Sequence, residues 1–166
     1  MDGDDAPVAV PHLFENEVRE FRETLERGGL QPALRLLNGR TPHRFTGVFR
    51  FDGDMLRNVV LVDKWEPEVV RGADVPLAQA YCAHLHRSGG AVEVRDGAAD
   101  ARFPWMQQSP IVSYCGAVIL DDDGGHWGAL CHFDMSRCES KKSDLPLLEA
   151  AAGLIYRLAS AASGGA

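Results

Sequence analysis

The run Ser113-Tyr114-Cys115-Gly116-Ala117-Val118-Ile119-Leu120, then Asp121-Asp122-Asp123-Gly124-Gly125, then His126-Trp127-Gly128-Ala129-Leu130-Cys131-His132-Phe133-Asp134 decides the fold. Two arms rich in apolar, aromatic and β-branched residues flank an acidic, glycine-ended turn, which is the pattern of an antiparallel hairpin. Gly124 and Gly125 permit the positive φ such a turn needs. Gly116 and Gly128 fall inside the arms, where a missing side chain allows close backbone approach or leaves room beside the sheet.

Working outward, a second hairpin is written in Phe45–Phe51, Asp52-Gly53-Asp54 and Met55–Val62, and Ala91–Val94 reads as a short strand. Phe14, Val18, Phe21 and Leu25 form one helical stripe ended by Gly28-Gly29, and Leu34, Leu36 and Leu37 predict a short helix after Pro32. Val75-Pro76 is expected to open a helix through Tyr81, Cys82 and Leu85 that Gly89-Gly90 closes. Asp144 to Ala162 reads as one closing helix with Leu147, Leu148, Ala151, Leu154, Ile155 and Leu158 on its face. Hairpins with helices at both ends predict an antiparallel α+β domain rather than a doubly wound sheet. The expected organisation is a flexible acidic tail over 1–11 and a single domain over 12–163. Its N-terminal helices span 12–40, its sheet and pocket loops 43–134 and its C-terminal helix 144–162.

The chain has 166 residues, 45% apolar and 25% charged, a size that suits one domain with a real core. A net charge of −7 disfavours phosphate-backbone binding, so no nucleic-acid partner is expected. An acidic start and no apolar run near the ~20 residues of a membrane span point to a cytoplasmic protein without a membrane partner. Four cysteines, none in a C-x-x-C pair, read as reduced thiols.

Three segments resemble the GAF family of small-molecule sensor domains. Val94-Arg95-Asp96-Gly97-Ala98-Ala99-Asp100-Ala101-Arg102-Phe103 is similar to the "v-x-D-a-x-x-D-x-R-F" stretch of bacterial GAF modules. Ser113–Leu120 resembles their "fYaGaPL" strand, and Asp123–Asp134 their "dGhxlGtLCvxD" segment. The resemblance covers roughly residues 40–160. It implies an antiparallel sheet with the terminal helices packed on one face and a pocket on the other, roofed by Trp65–Val75 and Asp96–Ser109. It further implies a non-enzymatic small-molecule sensor in bacterial-type signal transduction, forming a homodimer through the terminal helices; the output element usual in such proteins is expected either on a separate output protein or in a longer chain of which this is a fragment. The residues name no cofactor, because GAF domains serve many ligands.

The residues expected around that pocket are Phe49, Tyr81, Cys82, Asp96, Arg102, Phe103, Trp105, Tyr114, Cys115 and His132. Arg102 would clamp an anion while Phe103 and Trp105 stack on the ligand. The competing reading is internal: Asp96 and Asp100 cap turns, Arg102 pairs with them and Phe103 anchors the loop. If Cys131 packs beneath the helices, strand alternation turns His132 toward the pocket, where it resembles the histidine of bilin-binding GAF domains. Tyr114 and Cys115 divide the neighbouring strand in the same way, with the assignment left open. Cys82 and His86, four apart on a helix, share a face, but no spacing compels a metal site. The alternative function is a thiol redox enzyme resembling free-methionine-(R)-sulfoxide reductase. That chemistry requires an exposed low-pKa thiolate with a second cysteine in reach. The stretch Phe103–Val112, which corresponds to the reductases' cysteine-bearing loop, has no cysteine. The element that would hold a covalent bilin is missing too.

Overall fold

A computed structural model describes residues 14–163; the acidic tail expected over 1–11 and the ordered start expected at His12 lie outside the described residues. The chain order is α1 (Glu15–Gly28), α2 (Leu30–Asn38), β1 (Phe45–Asp52), β2 (Met55–Asp63), β3 (Val75–Pro76), α3 (Cys82–Ser88) and β4 (Ala91–Val94). There follow β5 (Ser113–Leu120), β6 (His126–Asp134), α4 (Leu145–Ala152) and α5 (Tyr156–Ala162), with single 3-10 turns at Leu77–Gln79 and Pro104–Met106. The six strands form one sheet in the order β3-β2-β1-β6-β5-β4, and each neighbouring pair is antiparallel.

The decisive hairpin pairs Tyr114 with Phe133, Cys115 with His132 and Gly116 with Cys131. Gly124 takes φ +83 in the turn, where a side chain would be strained. The strand glycines divide two jobs. A Cβ at Gly128 would run into the Phe49 carbonyl of β1, and one at Gly116 would run into the folded-back Tyr114 ring. The β1–β2 ladder slips between Val48 and Phe49, and Asn58 patches the bulge. Its side-chain amide donates to the Val60 carbonyl at 3.2 Å and accepts from the Gly72 N–H at 2.8 Å.

One face carries α2 and α4, with α1 laid over both; Phe21, Leu34, Leu37, Leu147, Leu148 and Ile155 are sealed there against Val48, Ile119 and Leu130. Each such side chain contributes roughly 2 kcal/mol through the apolar area it removes from water. The α1 stripe is spent inside the chain: Phe21 and Leu25 are buried, and Phe14 and Val18 rest on the same core.

The structure corrects three expectations. Val75-Pro76 is an edge strand paired with Leu56 and Met55, and the extended Ala80 delays the helix to Cys82; a proline without an N–H is tolerated at an edge. The closing helix is two helices, because the chain breaks at Gly153 and α5 departs from α4 by 68°. The Trp65–Gly72 stretch borders β2 instead of roofing the sheet. The Leu61 N–H donates to the Val70 carbonyl, Gln31 reaches the Val69 carbonyl and Arg35 the Pro67 carbonyl. No single described helix is long and apolar enough to cross a membrane.

Gly128→Ala forces β1 and β6 apart at the centre of the sheet. It is expected to lower stability by about 3 kcal/mol, an overpacking cost, read as a lower urea midpoint at unchanged slope.

Candidate functional site

The second sheet face is closed rather than hollow. Tyr81, Cys82 and Leu85 on and beside α3, with Phe103 and Met106 of the following loop, pack onto Phe49, Tyr114, Ala129 and Cys131 of the sheet. The roof is thus helix α3 together with the Asp96–Ser109 loop, and it sits directly on the strands. Tyr81 is the pivot of this layer: its ring lies edge-on to Phe103 at 5.6 Å between centroids and tilted against Tyr114 at 5.3 Å. Its hydroxyl is buried without a hydrogen-bond partner, which costs about 1–3 kcal/mol.

At the floor, Cys82 Sγ lies 3.0 Å from Tyr114 Oη, and Cys131 completes a hydrogen-bonded cluster. Hydrogen bonds from Cys131 and Tyr114 favour the Cys82 thiolate, while burial pushes the Cys131 thiol and the Tyr114 phenol well up. Strand alternation assigns the rest. Tyr114 and Cys131 face the roof; Cys115 and His132 face the helices. His132 is therefore on the opposite side from the expected pocket, because Cys131 packs beneath α3 and not beneath the terminal helices. Cys115, too, leaves the candidate set for the helix-side core, where burial pushes its thiol up.

His132 belongs instead to a buried polar chain joining the sheet to the helix layer. Asn38 Nδ2 donates to Thr46 Oγ1 at 2.9 Å, Thr46 Oγ1 lies 2.7 Å from His132 Nδ1, and His132 Nε2 lies 3.3 Å from Asp144 Oδ2. A neutral imidazole protonated on Nε2 satisfies every member. His43 stacks on His132 at 5.6 Å, and its Nδ1 lies 2.6 Å from Thr41 Oγ1. Burial, reinforced by His132, lowers the His43 pKa to about 4, and burial also lowers that of His132. No spacing in the sequence announces this chain, whose members come from α2, β1, β6 and the head of α4.

The polar residues of the roof lie at its outer surface. Arg102 donates twice to Asp100, at 3.0 and 2.7 Å, and once to the Glu93 carbonyl at 2.7 Å. Asp96 accepts from the Ala98 N–H. Trp105 is 45% exposed, and its indole forms one wall of an open groove of about 620 Å³. His84, Arg87, Glu93, Arg102 and Phe103 line that groove too, with Ala91, Val92 and Leu145 completing it. The Arg87 guanidinium stands 5.9 Å from the Trp105 ring. Of the ten residues chosen from sequence, Arg102, Phe103 and Trp105 meet here, whereas Phe49, Tyr81, Cys82 and Tyr114 are sealed beneath. Arg87 and His84 were missed, since a helix-surface cation has no pattern of its own. A wider hollow of about 880 Å³, between the β5–β6 turn, the end of α3 and the α4–α5 elbow, contains none of the ten. Cys82 and His86 do not share an environment: Cys82 is buried, while His86 is exposed and lies edge-on to Phe51. Among the described residues no group of three or more His, Cys, Asp or Glu is placed to hold a metal ion.

Compared with solved structures, the chain is similar to the GAF domain of a phosphoenolpyruvate-protein phosphotransferase from Acinetobacter. The TM-score is 0.69 at 10% identity, over 91% of this chain and 95% of that one. It is similar also to a GAF sensor protein from Burkholderia vietnamiensis, with a TM-score of 0.67 at 17% identity over 93% and 98%. The fold is GAF-like. A free methionine-R-sulfoxide reductase from Neisseria meningitidis, solved with its substrate, shares this GAF-like fold with a TM-score of 0.64 at 16% identity over 90% and 89%. No protein-family model matches the sequence, and no curated relative does.

Two outcomes follow. The His43 pKa lies below its unfolded value of about 6.5, so the unfolded chain binds the extra proton first. The stability this represents is complete above pH 6.5 and is lost as pH falls toward 4, by up to about 3 kcal/mol. Asp134 and Asp144 oppose the shift and Lys64 adds to it. Urea midpoints between pH 7.5 and 4 measure the loss, which His43→Asn reduces. A colourimetric thiol reagent is expected to titrate one thiol per native chain quickly, the half-buried Cys138, and all four in denaturant.

Proposed function

We propose that the chain is a non-enzymatic, small-molecule-binding sensory module of bacterial-type signal transduction, with its ligand seated in the groove walled by Trp105. The observation that carries this reading is the exposed Trp105 indole beside Arg87. Among the described residues Arg87 has no ion pair, so the groove joins an open aromatic face to an uncompensated cation. A flat aromatic ligand bearing one carboxylate or phosphate matches the groove: its ring stacks on Trp105 and its anion meets Arg87. Arg102 is less available, because Asp100 and the Glu93 carbonyl already occupy its guanidinium.

Binding there bears on the interior through Phe103, which touches both Trp105 and Tyr81. A ligand that shifts Phe103 moves the ring whose hydroxyl is unpaired, so the roof has a component that gains from rearrangement. The thiol-enzyme reading asks for an exposed thiolate with a second cysteine in reach, whereas Cys82, Cys115 and Cys131 are buried and Cys138 is half-buried outside the Trp105 groove.

Thermal-shift screening of aromatic carboxylates and phosphates is the test, since a ligand binding only the folded state raises the melting temperature. Hits are expected to alter Trp fluorescence and to weaken at least tenfold in Trp105→Phe and in Arg87→Gln. Hits that bind both variants at full strength overturn the groove as the site.

A further inference from the structure

On the helix side of the sheet, away from the roof, three arginines line one small cavity of about 320 Å³: Arg50 on β1, Arg57 on β2 and Arg71 on the segment before β3. Asn58, Val59, Gly72 and Asp74 complete the wall, and Ala162 and Ser163 at the end of α5 close it. In a chain of net charge −7 this is a local excess of positive charge. Two carboxylates serve the three guanidinium groups, and both are largely taken by Arg57. Its Nε donates to Asp52 at 2.9 Å and its Nη1 to Asp74 at 3.3 Å. The other Asp74 oxygen accepts from the Asn58 N–H at 2.8 Å.

Arg50 is left short. Its closest carboxylate approach is 3.7 Å, from Nη2 to Asp52, and its side chain is only 20% exposed. Its Nε is buried with no hydrogen-bond partner. That buried donor has no access to the cavity, but the rest of the Arg50 side chain lines it with Nη2 no closer than 3.7 Å to Asp52, and an oxyanion is the acceptor such a guanidinium lacks. The end of α5 does not compete as an anion donor, since the Ser163 N–H and hydroxyl already bond the Ala159 and Ser160 carbonyls.

We infer that the Arg50–Arg57–Arg71 cavity is a binding site for an oxyanion, inorganic phosphate or a phosphate monoester, held from β1, β2 and the segment before β3. The site lies on the opposite face from the Trp105 groove and does not depend on it. Arg50 supplies half-buried charge, Arg71 the solvent-side charge and Arg57 the fixed frame. The volume of about 320 Å³ is ample for a phosphate group.

The test is titration with inorganic phosphate at constant ionic strength, balanced with sodium chloride so that screening of exposed charge is unchanged. A saturable rise in melting temperature of about 4 °C at tenfold the Kd is expected. Arg71→Gln, at an exposed position, tests the site without endangering the fold and is expected to weaken phosphate at least tenfold; Arg50→Gln should abolish saturation. Trp105→Phe should respond as the wild type, which separates this site from the groove. A chloride-like response to phosphate overturns the inference, as does wild-type affinity in Arg71→Gln. An equal loss of melting temperature in Arg50→Gln with and without phosphate overturns it as well, because Arg50 would then serve only the fold.

Discussion

Strand β6 has a core on each side, and the alternation of its side chains holds both together. Ala129 and Cys131 point to the roof; Leu130 and His132 point to the helices. A slip of one residue would send His132 into the apolar roof layer and pull Cys131 into the polar chain, so the register is fixed from two directions at once. Gly128 adds a third restraint by letting β1 pass close enough for its ladder with β6 to form.

Much of this architecture was legible because it is local. The turn at Asp121–Gly125, the glycine stops after α1 and α3, and the paired arms of both hairpins each announce themselves within a dozen residues. What could not be read was parity and depth. Cys131 and His132 are both wholly buried, so polarity alone does not say which faces the helices; that depends on Thr46 and Asp144, distant in sequence and adjacent only after folding. The break at Gly153 was hidden because Leu154, Ile155 and Leu158 continue an apolar pattern across it. Whether a roof stands off a sheet or rests on it depends on how far α3 and the Asp96–Ser109 loop descend. No residue type encodes that distance.

The same limits explain the site. Arg102, Phe103 and Trp105 were found as a cluster because they are neighbours in the chain, and their companions Arg87 and His84 come from another element. Phe49, Tyr81, Cys82 and Tyr114 were found for the right face and the wrong state: they form the packing between roof and sheet rather than the lining of a chamber. Cys115 and His132 failed on alternation alone.

The elbow at Gly153 gives the C-terminal part of the chain a mechanical character that one straight helix would lack. Helix α4 is anchored at its head by Asp144 and along its length by Leu147, Leu148 and Ala151, while α5 swings away after only one short bend. The Ala159 side chain is held in the core, but Arg157, Leu158 and Ala162 face outward. α5 therefore keeps its outer side in solvent while Ile155, Tyr156 and Ala159 grip the helix-side core, so any displacement of α5 reaches that core through these three side chains.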